Sequence, residues 1–166
     1  LQGFYYKPRV DLDMLNEHSE GLIGTSSCLK GQIPECIVRG ESKEAMELAG
    51  RYEDIFGKGN FYLELQDHGI EEQKIANRGL IELARKTGLP LIASNDVHYL
   101  KHEHWEAHEI MLCLQTATTI TDPGRLRYNS DQFYMKSADE MWKLFGDYPE
   151  ALTNTLAIAE RCNIEL

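Results

Sequence analysis

The sequence predicts an α/β fold built on parallel strands, and three observations carry that expectation. Short apolar runs at residues 21–25, 61–65 and 90–94 are each bounded by glycine or proline turn signals, as buried strands are. Apolar residues at helical spacing fill the two intervals between the runs. The connections are short, and strands alternating with helices imply parallel pairing through right-handed crossovers.

The elements follow in order. Gly21-Leu22-Ile23-Gly24-Thr25 is the first strand, followed by a polar, glycine-rich stretch to Glu41. Ser42 is placed as an N-cap. Ala45, Leu48, Ala49, Tyr52, Ile55 and Phe56 then line one helix face, and Gly57 stops the helix. Phe61-Tyr62-Leu63-Glu64-Leu65 is the second strand. Residues 71–87 form a helix with Ile75, Ala76, Leu80, Leu83 and Ala84 on its apolar face and Gly88 at C′. Pro90-Leu91-Ile92-Ala93-Ser94 is the third strand. The pattern then changes. A helix is expected over 102–114, a loop over 118–129 turning at Asp122-Pro123-Gly124, and a short strand over 132–135. Ser137-Ala138-Asp139-Glu140 reads as a capping box opening a helix to Phe145. Pro149 starts a last helix to Arg161 with Leu152, Leu156 and Ala159 on one face. A closed barrel needs more strands than these 166 residues hold, so either the sheet is open or further strands precede Leu1.

Composition narrows the function classes. Hydrophobic residues make up 42% of the chain, which excludes disorder as the default. No apolar run reaches the roughly 18 residues of a membrane span, and residues 1–7 lack the apolar core of a signal peptide, so a cytoplasmic protein without membrane partners is expected. Cys28, Cys36, Cys113 and Cys162 form no CxxC pair, which reads as reduced thiols, buried and structural or ligating. With 27 acidic against 17 basic residues, a net charge of -10 argues against a surface that coats DNA. It leaves room for an acidic metal site that meets phosphates through cations.

The carboxyl ends of parallel strands are where such folds place ligand-binding side chains. Three clusters fall there: Ser26-Ser27-Cys28, Gln66-Asp67-His68 and Asn95-Asp96-Val97-His98. In extended chain Asp96 and His98 point the same way, so a carboxylate and an imidazole converge. Cys28 adds a thiolate from another strand end. The donor set suits zinc and also admits manganese or iron. The plain alternative is a turn in which Asn95 and Asp96 cap backbone amides. His104 and His108 stand four apart on a helix, but Glu106 between them fits no zincin pattern, which favours packed or capping histidines. Tyr5, Tyr6, Lys7 and Arg9 make a basic aromatic patch suited to phosphate or base stacking, or to a solvent-facing cation–π cluster.

Several segments together resemble one known family. Gly3-Phe4-Tyr5-Tyr6-Lys7-Pro8-Arg9, Gly21-Leu22-Ile23 with Ser27-Cys28, the 61–65 and 90–99 segments, His108-Glu109 with Leu112-Cys113-Leu114-Gln115-Thr116, and residues 130–137 are similar, in order, to the PHP domain of bacterial DNA polymerase III alpha subunits. The resemblance implies an α/β fold made of the C-terminal portion of a PHP-type (β/α)7 barrel (residues 1–114), with a mostly helical C-terminal extension over 115–166 leading toward the polymerase palm. It implies that Cys28, Asp96 and His98 are metal ligands, with the earlier ligands before Leu1. Where the family often has Gly-Lys after Gln-Thr, this chain has Ala117-Thr118, which removes a phosphate contact from that loop.

The function so implied is that of a piece of a DNA-directed DNA polymerase, a nucleotidyltransferase of DNA replication. Its PHP domain would use a divalent metal, zinc or manganese or iron, for 3′-5′ exonuclease or phosphoesterase chemistry. DNA and other replicative polymerase subunits are the expected partners. Two alternatives stand beside it: a stand-alone PHP phosphoesterase of a small phosphate ester, and a non-catalytic scaffold docking a proofreading subunit. The 166 residues alone, with three candidate ligands and exposed sheet edges, are expected to be inactive and to self-associate.

Overall fold

The computed structural model describes residues 4–163, and within them everything but the Tyr5 side chain. It begins with a small antiparallel hairpin, β1 (Phe4–Tyr5) and β2 (Lys7–Pro8), turning at a left-handed Tyr6. α1 (Leu12–Glu17) follows, its N-terminus closed by the Asp11 carboxylate, which accepts from the Met14 amide at 2.9 Å.

The body is a three-stranded parallel sheet in the order β3-β4-β5, formed by β3 (Gly24–Thr25), β4 (Phe61–Leu65) and β5 (Leu91–Ala93). Between β3 and β4 lie α2 (Gln32–Val38) and α3 (Ser42–Phe56), and between β4 and β5 lies α4 (Glu71–Thr87). Phe61, Leu63 and Leu65 alternate onto the helix-covered face and are almost fully buried with Ile33, Ala49, Leu80 and Leu83. The opposite face of β4 carries Tyr62, Glu64 and then Gln66, the period of two that a strand imposes. The same core takes in Phe145 from α6 (Ala138–Phe145) and Ala151 from α7 (Pro149–Arg161), so the C-terminal helices pack on β5. α5 (Trp105–Thr116) lies between β5 and α6 in the chain.

The α/β class and the parallel pairing match the expectation. Among the described residues, however, the parallel sheet has three strands and is not a closed (β/α)7 barrel. β4 and α4 occupy the expected residues, and Gly88 closes α4 in the left-handed region at φ 78°. The first strand is shorter than expected, because Gly21 turns the chain at φ 78° and leaves Leu22 exposed. α2 occupies the stretch expected to be irregular. Gly31 and Pro34 read as helix breakers, yet Gly31 is the N-cap and Pro34 lies in the first turn, where no intrahelical N–H bond is lost. Glu41, not Ser42, precedes the first turn of α3. Ile75 on α4 is exposed and Gln73 is buried in its stead. On α7 the inward face carries Ala151, Leu152 and Asn154, whose amide donates to the Leu91 carbonyl at 2.7 Å, while Leu156 and Ala159 face outward. The strand expected over 132–135 is a single parallel bridge, Tyr99 to Tyr134. The capping box is present as read, with Ser137 and Glu140 bonded to each other's backbone N–H. No described helix is long and apolar enough to cross a membrane, and no two of the four cysteines are bridged.

Candidate metal centre

All three clusters singled out in the sequence fall at the carboxyl ends of β3, β4 and β5, side by side. They differ in what their side chains do.

β4 supplies the frame. The Glu64 carboxylate accepts from the Thr25 hydroxyl at 2.6 Å and the Gln66 amide at 2.8 Å, and also meets the Ser94 hydroxyl. The Glu64 amide donates to the Ser26 hydroxyl at 2.8 Å. One carboxylate thus ties together side chains from three strand ends. His68 is almost wholly buried. Its Nε2–H donates to the Asn95 carbonyl at 2.9 Å, so its Nδ1 accepts from the Gln73 amide at 2.7 Å, and its ring stacks on Phe133. Burial pushes the His68 pKa down, which keeps the ring neutral in that role. Both ring nitrogens are used, so His68 is a strut between β4 and β5 and offers no lone pair to an ion.

β5 supplies the candidate ligand pair. Asp96 Oδ1 and His98 Nε2 stand 3.6 Å apart, both side chains about one-third exposed. Two ligand atoms each about 2.1 Å from one ion stand about 3.4 Å apart in a tetrahedral shell, so this pair fits a shared cation with little adjustment. Its convergence has a different origin from the one the sequence suggests. Asp96 is left-handed at φ 40°, so the backbone is not extended there; a tight turn brings the two side chains together. The amide-capping alternative does not describe Asp96, whose carboxylate accepts no backbone N–H among the described residues. Asn95 does serve the backbone, donating to the Tyr134 carbonyl at 2.8 Å.

Cys28 is half-buried at the end of β3, delivered by a left-handed Ser27 at φ 64° and a turn in which any Cβ on Gly31 would sit 2.1 Å from the Ser26 carbonyl oxygen. β4 separates β3 from β5, so their ends stand roughly 10 Å apart at ordinary strand spacing. Consistent with that, Cys28, Asp96 and His98 do not bring three ligand atoms within 4.8 Å of one another among the described residues. Asp96 and His98 make one corner and Cys28 another. Gln66 lines a narrow cleft with Cys28, Glu64 and Asn77, and its buried Oε1 has no hydrogen-bond partner.

Residues after β5 complete the surroundings. His98 lies against the rings of His108, Tyr128 and Phe133, with centroids 5.7, 4.8 and 5.1 Å away. Burial, with His98 next to it, pushes the His108 pKa down. Burial, and then the charges of Asp96 and Cys28, push the Tyr128 hydroxyl up. His104 is exposed and outside this cluster, so His104 and His108 do not act as a pair. Sequence reasoning missed Tyr128, and it missed the buried ion pair of Glu109 with Arg125 at 2.5 Å; Tyr128 and Arg125 belong to none of the motifs above, and only the fold brings Arg125 to Glu109. It also missed Cys36, Glu41 and Glu44, whose ligand atoms do lie within 4.8 Å of one another at the α2–α3 junction. There the Arg39 guanidinium already supplies the positive charge, 3.2 Å from Glu41, and burial pushes the Cys36 thiol up. In the basic aromatic patch, Tyr6 is exposed at the hairpin tip, and the Tyr5 side chain and residues 1–3 lie outside the described residues.

Parallel strand ends with a carboxylate–imidazole pair and a separate thiol define an α/β domain with a candidate metal-binding site at the strand ends. Residues 1–68 match the family described as the PHP domain. Its homologues are DNA polymerase III alpha subunits. The chain is 47% identical over its whole length to DNA polymerase III subunit alpha of Treponema pallidum, 45% identical over 98% of its length to that of Borreliella burgdorferi, and 42% identical over its whole length to that of Thermus aquaticus. It spans about 14% of the length of each of these relatives.

Proposed function

We propose that this chain contributes one side of a divalent-metal site for phosphodiester hydrolysis in the PHP domain of a replicative DNA polymerase, with 3′-5′ removal of nucleotides from DNA as the reaction. The observation that carries the reading is the Asp96–His98 pair, set 3.6 Å apart at the end of a parallel strand. Asp96 and His98 would hold the metal at one corner, and Cys28 at the other. Zinc suits the thiolate and imidazole, and manganese or iron suits the carboxylate. Such an ion, when bound, neutralises phosphate charge and activates water for hydrolysis.

The chain's own residues do the rest. Glu64 locks the three strand ends in register, and His68, neutral and doubly bonded, fixes the Asn95 backbone that leads into Asp96. His108 and Phe133 fix the His98 ring from two sides. DNA and other polymerase subunits are the partners this reading names, in the cytoplasm, with residues 115–166 joining the PHP part to the polymerase part. Similarity to the polymerase subunits over the whole chain, including residues 115–166, favours this over a stand-alone phosphoesterase.

The test is made in the full-length protein. Asp96→Ala and His98→Ala are each expected to lose bound metal, measured by plasma mass spectrometry, and to lose removal of a 3′ mismatched nucleotide. Unchanged metal content and unchanged mismatch removal would overturn the reading. Wild-type protein that binds no stoichiometric metal would favour a pure scaffold.

A further inference from the structure

We propose that the Gln66 side-chain oxygen is a further ligand at the Cys28 corner, holding a small divalent cation together with the Cys28 sulfur in the cleft between the Cys28 turn and α4. This rests on the metal-site reading above for Cys28 and adds a donor from the end of β4.

Three observations lead to it. The first is burial without a partner. Gln66 is 6% exposed, and its Oε1 is the one buried side-chain oxygen or nitrogen among the described residues that has no hydrogen-bond partner. A buried acceptor left in that condition costs about 1–3 kcal/mol unless something meets it.

The second is direction. Gln66 Nε2 donates to the Glu64 carboxylate at 2.8 Å and to the Ser94 hydroxyl at 3.3 Å. The Ser94 hydroxyl itself donates to Glu64, so a reversed amide would set its oxygen against the carboxylate. The amide orientation is therefore fixed. Its nitrogen and oxygen diverge from one planar carbon, so with Nε2 turned toward the end of β5, Oε1 is turned away from it. The sheet order β3-β4-β5 puts β3 on that other side. The cleft lies there: Ser27, Cys28 and Pro34 form one wall, Asn77 and Leu80 of α4 form another, and no residue of β5 lines it.

The third is charge and size. Cys28 and Glu64 are the titratable side chains that line the cleft, and no Lys, Arg or His does. Glu64 is occupied by Thr25, Gln66 and Ser94, so it contributes a negative field and not a bond. The free space is about 10 Å³, room for one small ion or one water. A water would satisfy Oε1 alone. A cation satisfies Oε1, the thiolate and the field together, and a soft sulfur with a hard, neutral oxygen is a donor set for zinc or manganese.

The test uses the full-length protein with cobalt(II) as the probe, because a cobalt–thiolate bond absorbs in the near ultraviolet and a carboxylate–imidazole site does not. The part of that band lost in Cys28→Ser belongs to Cys28. Gln66→Met keeps the length of the side chain and removes the oxygen. It is expected to raise the cobalt concentration that half-develops the Cys28 band about tenfold, while the visible absorption of cobalt at Asp96 and His98 develops as in wild type. An unchanged Cys28 band in Gln66→Met that is folded by circular dichroism would overturn this inference and leave the metal-site reading standing. Equal weakening at both corners would also overturn it, because Gln66 would then act through the Glu64 frame that the strand ends share. Should Gln66→Met fail to fold, wild-type crystals grown with cobalt and measured at its absorption edge decide: a peak bonded to both Cys28 Sγ and Gln66 Oε1 is expected, and a peak on Cys28 alone would overturn the inference. A wild type with no Cys28 band would overturn the Cys28 part of the metal-site reading and this inference with it.

Discussion

His68 and His98 sit at the ends of neighbouring parallel strands, and their fates differ. His68 follows β4, is 1% exposed, and spends both ring nitrogens on Asn95 and Gln73. His98 follows β5, keeps about a third of its side chain exposed, and turns Nε2 toward a carboxylate. The same residue type at the same topological position is a structural strut in one case and an open candidate ligand in the other. What separates them is whether the fold has already satisfied the ring. A histidine with two internal partners contributes stability; one with a free nitrogen beside a carboxylate has affinity to offer. In this molecule the first also supports the second, since His68 bonds to the backbone one residue before Asp96.

Stability and metal binding should therefore separate between the two histidines, and four measurements sharpen or break that separation. His68→Ala is expected to cost about 3 kcal/mol in urea unfolding, from the cavity and from the Asn95 carbonyl and Gln73 amide left without partners. Gln73→Leu removes the far support of that ring and also the acceptor of the His68 backbone N–H, and should cost about 2 kcal/mol by the same measurement. Ala117→Gly should stabilise the chain by about 1 kcal/mol, because Ala117 closes α5 in the left-handed region at φ 52°, where a Cβ is disfavoured. His98→Ala should cost at most about 1 kcal/mol, since it loses ring packing against His108, Tyr128 and Phe133 but strands no buried hydrogen-bond partner. If His98→Ala proved as destabilising as His68→Ala, the division of roles would fail.

His68 also predicts a pH dependence. Burial lowers the His68 pKa below its ordinary 6.5 in the folded chain, so the unfolded chain takes up the proton first. The stability it contributes is fully present above pH 6.5 and is lost as pH falls from there through the folded-state value. The acid-side loss of stability below pH 6.5 should shrink in His68→Gln, as followed by circular dichroism; an unchanged acid limb would place the proton uptake elsewhere.

The sequence made β4, α4, the 137–140 capping box and the turn at Gly88 legible because each is specified locally, by alternation, helical spacing or a cap. It concealed α2, where Gly31 and Pro34 look like breakers until their places at the N-cap and first turn are known. The facing of α7 was misread because Asn154 and Ala151, and not the leucine at 156, meet β5. At the site, Asp96 and His98 were visible as a pair, but the left-handed turn that joins them was not, since aspartate is only one of several residues that adopt it. Tyr128 and Arg125 carry no local signal, and the His108-Glu109 motif does not reveal what Glu109 pairs with. Their roles come from tertiary contacts between α5 and a loop that composition alone marks as polar. Strand-end placement marked Cys28 and the Asp96–His98 pair as candidates, and the resemblance to polymerase PHP domains added the family in which they would serve as metal ligands.

The central claim is that Asp96 and His98 share a divalent cation. It is tested most directly by crystals of the full-length protein grown with manganese or zinc and measured at the metal's absorption edge. The account predicts an anomalous peak about 2.0–2.2 Å from both Asp96 Oδ1 and His98 Nε2. No peak at that pair, or a peak only at Cys36, Glu41 and Glu44, would contradict it.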